Sequence, residues 1–427
     1  MAKASLQPQH LILLDRGATW EGPPGRLVHW AETEVPPGHD SIPWLVENQA
    51  RSLRQEYLAW VHDLGESVHW GRSLKEHLDL GGGFSFWWLT CIAAKNPQRN
   101  TAIFEVFKLR ALERLYLSSG CRGLILCSAN PGLNRVLSQW CRKLGHPYHW
   151  ERLPKSRTSP GLRERIRLLP YPLKAAATLV RRLWSRRLRL PTLKGVPPGD
   201  RQATVVTYFP NLDPTLARQG VFRSRYWGEL HDLLDKGPWL VNWIWRYVPN
   251  DEFSFAEAGD LRQHFQKKAG ERARYYFLEE FLTAGALLKA VRLYLRLCWR
   301  GLKLKSVSQA FHFPGSALNF WPVLAREWGD SFFGSEALEG CLALMSFRSL
   351  AQSLPRQEWG LYLWENLPWE RALNWAWKDA GQGKLIGFQH AGLAFLDLRF
   401  FEDPRSYRLA TYPPPLPDLL AVNGAGP

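Results

Sequence analysis

Residues 360–390, GLYLWENLPWERALNWAWKDAGQGKLIGFQH, constrain the fold more than any other part of the chain. The run LYLW at 361–364 is apolar and too short for a helix, and Glu365-Asn366-Leu367-Pro368 closes it as a turn. Pro368 stands where the first helical residue belongs, since its fixed φ suits a helix start and its missing N–H is not needed there. Trp369, Ala372, Leu373, Ala376, Trp377 and Ala380 then share one buried helical face. Gly381 and Gly383 stop the helix, and 384–389 reads as the next strand. Strand, helix and strand within about 30 residues make a βαβ unit, whose two strands must be parallel. A parallel sheet is covered on both faces, so an α/β fold is expected.

The same alternation extends over the rest of the 427 residues. Strands are predicted at 11–14, 123–128, 203–209, 239–247 and 419–422, and helices at 101–118 and 133–144, with the longest at about 255–300. No internal repeat is visible. The predicted organisation is an α/β domain over 1–150, a basic Pro-containing linker over 151–200 and a Rossmann-like domain over 201–427. With 45% apolar residues and 13% aromatics, the chain has ample material for a core; a wholly disordered chain is excluded.

In doubly wound sheets the ligand crevice lies at the carboxyl ends of the strands. Glu365 follows one strand of the unit and His390 the next, so a carboxylate and an imidazole are expected at one rim, able to do acid–base work on a hydroxyl. Asn366, Glu370 and Gln389 are expected beside them, and Trp364 and Trp369 flank the crevice with apolar faces suited to sugars. Glu370, in the first helical turn, also complements the helix dipole. Asp397 and Arg399 follow in a charged loop that could orient an acceptor or simply be solvated. Arg223 and Arg225, at an expected helix start, read equally as an anion site and as surface ion-pair partners. No zinc-ligand spacing, serine-nucleophile elbow or Gly-rich phosphate loop is present. Most of the 22 tryptophans read as core.

The net charge of +16 is concentrated: residues 152–194 hold 13 Lys/Arg and one acid, Glu164. Within it, 173–190 reads as an amphipathic helix. Three roles stay open for this window: a solvated linker, a segment lying on anionic lipid at the inner leaflet, or a nucleic-acid site. The last lacks any reading element such as zinc-finger spacing or a basic zipper, and no nucleic-acid partner is expected. No run of about 18 uncharged apolar residues exists, no secretory leader is read, and the six cysteines form no framework. These features point to a cytoplasmic chain with reduced thiols, peripheral to the membrane at most.

The segment 361–392 followed by FLDLRFFEDP resembles the signature of bacterial surface-carbohydrate biosynthesis proteins, a family assigned as glycosyltransferases. FSFWWLTCIAAKNP (84–97), TYFPNLD (207–213) and FRSRYWGELHDLL (222–234) are similar to the same family. The order strand, Gln389-His390-Ala391, spacer, Pro417-Asp418, strand, Gly424 is also similar to the end of the first Rossmann-like domain of GT-B glycosyltransferases, with Ala391 in place of glycine. The resemblance implies a GT-B-like fold of Rossmann-like doubly wound parallel sheets. It implies transfer from a nucleotide-activated sugar to a glycan or lipid-linked acceptor, with Glu365 or His390 as the base and no further cofactor. Because the chain stops three residues after Gly424, the second, nucleotide-binding domain is expected to be incomplete or absent. A non-catalytic glycan-binding scaffold at the membrane surface is the alternative.

Overall fold

A computed structural model describes residues 10–154, 169–187, 201–248, 252–269, 272–390, 392–408, 411–422 and 424. The strands are β1 His10–Leu14, β2 Arg26–His29, β3 Asp40–Ser41, β4 Val68–His69, β5 Arg72–Ser73, β6 Gly123–Ser128 and β7 Tyr148–Arg152. They continue as β8 Gln202–Phe209, β9 Leu240–Tyr247, β10 Ala273–Phe277, β11 Trp359–Leu363, β12 Lys384–Phe388 and β13 Leu419–Ala421. Two parallel sheets result, ordered β3-β2-β1-β6-β7 and β10-β9-β8-β11-β12-β13, beside the small antiparallel hairpin β4-β5. By order of appearance within each sheet they read 3-2-1-4-5 and 3-2-1-4-5-6, the doubly wound arrangement whose strand order reverses beside the first strand. The expected α/β class with parallel sheets is therefore present.

Both faces of the second sheet are buried, as parallel pairing requires. Successive residues go to opposite clusters: Val205, Trp243, Tyr275 and Leu361 to one, Val206, Ile244, Tyr276 and Tyr362 to the other. The helix Pro368–Asp379 buries Trp369, Ala372, Leu373, Ala376 and Trp377, the face read from its spacing, with Pro368 at its start.

Two expectations are corrected. The long helix predicted over about 255–300 is two helices, Phe255–Ala269 and Ala284–Lys303, separated by β10 and a short 3-10 turn. The aromatic run Tyr275-Tyr276-Phe277 serves either period, and burial on both sheet faces decides for the strand. The helix expected near Arg223 and Arg225 begins only at Leu230. The helix expected at 173–190 in the basic window is present as Tyr171–Arg187 and packs on the helix Ser335–Ser353. Several of its cations face the protein: Lys174 lies 3.9 Å from Asp330, Arg181 3.0 Å and Arg182 2.6 Å from Glu339. Residues 155–168 and 188–200 of the window lie outside the described residues.

Between β10 and β11 the chain runs through Ala284–Lys303, Trp321–Phe333 and Ser335–Ser353. The second of these packs on Ala102–Ser118 and Pro131–Leu144 beside the first sheet. One buried cluster accordingly runs from Leu11, Trp60 and Phe107 to Trp328, Phe347 and Trp369. The six cysteines are free thiols. Among the described residues no helix is long and apolar enough to cross a membrane, and no group of three or more His, Cys, Asp or Glu could hold a metal ion.

Candidate functional site

The turn after β11 is set by a buried carboxylate. Asn366 adopts φ +57°, a left-handed conformation that asparagine tolerates better than most residues. Glu370 reaches back from the first turn of its helix and accepts the backbone N–H of Asn366 at 2.8 Å and of Glu365 at 3.1 Å, both just upstream of the N-cap Leu367. The Asn366 amide donates to the Arg399 carbonyl. With the backbone so held, the Glu365 side chain lies at the rim of the sheet.

His390, just past β12, meets it there. Nε2 lies 3.8 Å from a Glu365 carboxylate oxygen, with the two side chains 17% and 22% exposed. The ring stands edge-on to Tyr226, 4.8 Å between centroids, and Nδ1 has no hydrogen-bond partner among the described residues. Burial holds the His390 pKa below the ordinary 6.5 against the opposing pull of Glu365, and Arg399 adds to the lowering. A neutral imidazole beside a carboxylate can take up a proton and have the resulting charge stabilised. Tyr208, near the end of β8, donates its hydroxyl to the other Glu365 oxygen at 3.1 Å.

Tyr208 also lines a cavity of about 180 Å³ over the carboxyl ends of β8 and β9. Its notable occupant is Arg246 of β9. The guanidinium lies 4.2 Å above the Trp369 ring and 5.7 Å from that of Tyr208, and it makes no hydrogen bond or ion pair among the described residues. Burial lowers its pKa. The neighbouring carboxylates are engaged elsewhere: Glu279 and Glu339 hold Arg182 at 3.0 and 2.6 Å, and Glu336 lies 3.6 Å from Arg99. A desolvated cation that meets only π faces suits an incoming anion. Leu89, Arg99, Glu336, Leu367 and Pro368 also line a second cavity of about 340 Å³, so the cleft continues beyond Arg246.

The other expected residues divide clearly. Trp369 and Glu370 belong to the site as wall and buried support. Trp364 is buried against Phe400, and Gln389 is buried with its backbone N–H on Ala421, so neither offers a face to a ligand. Asp397 and Arg399 pair with each other at 2.8 and 2.6 Å and are buried; they brace the Asn366 turn rather than face solvent. Arg223 is held by Asp232 at 2.6 Å and Asp235 at 3.3 Å, the ion-pair option. Arg225 is exposed on the same loop, and Ala391 lies outside the described residues.

Tyr208 and Arg246 are not singled out in the sequence, whereas Tyr226 falls in the 223–226 run read there as an anion site or an ion-pair segment and is found instead against His390. The crevice rule applied to the predicted strands 203–209 and 239–247 points to Tyr208 and Arg246, since both stand at carboxyl ends. Comparison with known protein families, with curated proteins and with solved structures finds no match to this chain.

Proposed function

We propose that the protein is a glycosyltransferase of GT-B-like design, moving a sugar from a nucleotide-activated donor to a hydroxyl of a glycan or lipid-linked acceptor in bacterial surface-polysaccharide synthesis. The observation that carries this reading is the solvent-reachable Glu365–His390 pair beside a cavity lined by an arginine that has no carboxylate partner among the described residues, all at the carboxyl edge of a doubly wound sheet. Two parallel α/β sheets suit a GT-B-like plan, and in this reading the donor is held within them at Arg246, in place of the separate nucleotide-binding domain that the resemblance implies is missing.

In this reading the acceptor hydroxyl gives its proton to His390 as its oxygen bonds to the anomeric carbon. The bond from that carbon to the donor's phosphate oxygen breaks, and the nucleotide leaves with the electron pair. Glu365 stabilises the imidazolium, and Arg246 meets the charge on the leaving phosphate. No metal or organic cofactor is required of the described residues, and the setting is the cytoplasmic face of the membrane.

The test is calorimetric titration of the purified chain with a panel of nucleotide sugars, followed by assay of nucleotide release. Arg246→Met is expected to weaken donor binding by about tenfold to a hundredfold, the loss of a charge-assisted contact, with little change in Tm, since it removes a partly buried charge that has no carboxylate partner among the described residues. His390→Ala is expected to keep donor binding and lose about 10²–10⁴ of the transfer rate. A wild-type chain that binds no nucleotide sugar, or a His390→Ala variant that transfers at the wild-type rate, refutes the proposal.

A further inference from the structure

The helix Ala284–Lys303 has one face packed and one face bare. Ala286, Ala290, Leu297 and Gly301 are buried and seat it on Trp321–Phe333 and Ser335–Ser353. On the opposite side Leu288, Leu295, Trp299 and Leu302 are 50%, 59%, 57% and 59% exposed. At about 100° per residue these four fall within roughly 60° of one another, a single apolar stripe on a helix about 30 Å long. Arg292, Lys303, Arg296 and Lys289 occupy the next roughly 60° of the same outer surface.

The charge on this face is unbalanced. Lys289, Arg292 and Arg296 make no hydrogen bond or ion pair with any other described residue, and Lys303 Nζ lies 3.5 Å from the centroid of the Trp299 ring. No Asp or Glu occurs between Glu280 and Glu327, so nothing within this segment offsets the cations. Scattered exposed leucines need no explanation, but a contiguous stripe marks a contact surface. A second copy docked face to face would set like charges against each other. A surface that accepts shallow insertion of leucine and tryptophan while presenting negative charge to flanking Lys and Arg is an anionic lipid headgroup layer; tryptophan in particular favours that interface.

We propose that the helix Ala284–Lys303 docks the protein on an anionic bilayer, lying in the headgroup plane with Leu288, Leu295, Trp299 and Leu302 inserted. Within the basic window, Lys174 and Arg182 of the helix Tyr171–Arg187 are held by Asp330, Glu279 and Glu339 and are not available to a lipid surface. The surface is independent of the chemistry at Glu365 and His390.

Flotation of the full chain with phosphatidylcholine vesicles, with and without phosphatidylglycerol, tests this. Binding is expected only to the anionic vesicles and to weaken as salt is raised. Arg292→Gln with Arg296→Gln should weaken it roughly 25-fold, about fivefold per basic residue. Leu295→Ser with Trp299→Ser should abolish it, whereas Arg181→Gln should leave it unchanged. Wild-type failure to bind anionic vesicles, equal binding to neutral vesicles, or undiminished binding by the helix variants overturns the proposal. So does a concentration-dependent dimer that the same substitutions dissolve, which assigns the face to a second copy.

Discussion

Replacing Glu370 by glutamine is expected to stabilise the protein at alkaline pH and to remove most of a pH dependence that the wild type should display. Glu370 is 1% exposed. Burial, aided by the nearby Glu365 carboxylate, pushes its pKa from the ordinary 4.5 up to about 8, against the backbone N–H groups that it accepts. Between those values the folded chain keeps a proton that the unfolded chain has released. Stability is therefore fully present below about pH 4.5, falls as pH rises, and has lost this contribution above about pH 8. The interval corresponds to on the order of 5 kcal/mol. Spread over a chain of this size, that is a Tm change of ~5 °C. Glutamine keeps an oxygen for the N–H groups of Glu365 and Asn366 and has no proton to lose. Calorimetric unfolding of both proteins from pH 5 to pH 9 should show the variant's Tm gaining on the wild type as pH rises. A Tm difference that does not change with pH refutes the burial argument.

Further outcomes follow from the same geometry. The acid limb of the transfer rate should lie below pH 6.5, because burial lowers the pKa of His390. Glu365→Gln removes the charge that opposes this lowering, so the limb should move to still lower pH while the maximal rate falls; movement to higher pH would contradict the assigned pair. Glu402 is a buried partner of two buried cations, Lys95 at 2.7 Å and Arg371 at 2.9 Å. Glu402→Gln leaves both without a carboxylate and should cost about 3–5 kcal/mol in urea unfolding; an unchanged midpoint would show that the network carries little stability.

Much of the second sheet is legible in the sequence because its signals are local. The turn chemistry at Glu365–Pro368 and the helical face from Trp369 to Trp377 each depend on residues within a few positions of one another, and β8, β9, β11 and β12 fall within two residues of their predicted limits. The signal fails where local pattern is ambiguous. β10 was absorbed into a helix because an aromatic triplet suits both periods, and the short β2 and β3 carry too few residues to show a period at all. In the site, the placement of Glu365 and His390 follows from strand ends, whereas the sequence leaves Arg399 and Arg223 open between a ligand role and an ordinary loop or ion-pair role, and Trp364, Arg399 and Arg223 lie against Phe400, Asp397 and Asp232.

From its sequence alone this protein was bound to build a parallel α/β sheet with a carboxylate and an imidazole at its carboxyl edge. Side-chain period, proline position and turn residues act over a handful of neighbours. Only the tertiary structure decided which charges are cancelled and which are left over. Arg182 finds Glu279 and Glu339 from distant elements while Arg246 finds only aromatic faces among the described residues, and Leu288, Leu295, Trp299 and Leu302 stay bare because no described element covers that side of their helix. Burial and ion pairing depend on which surfaces meet across the fold, and no local spacing encodes that.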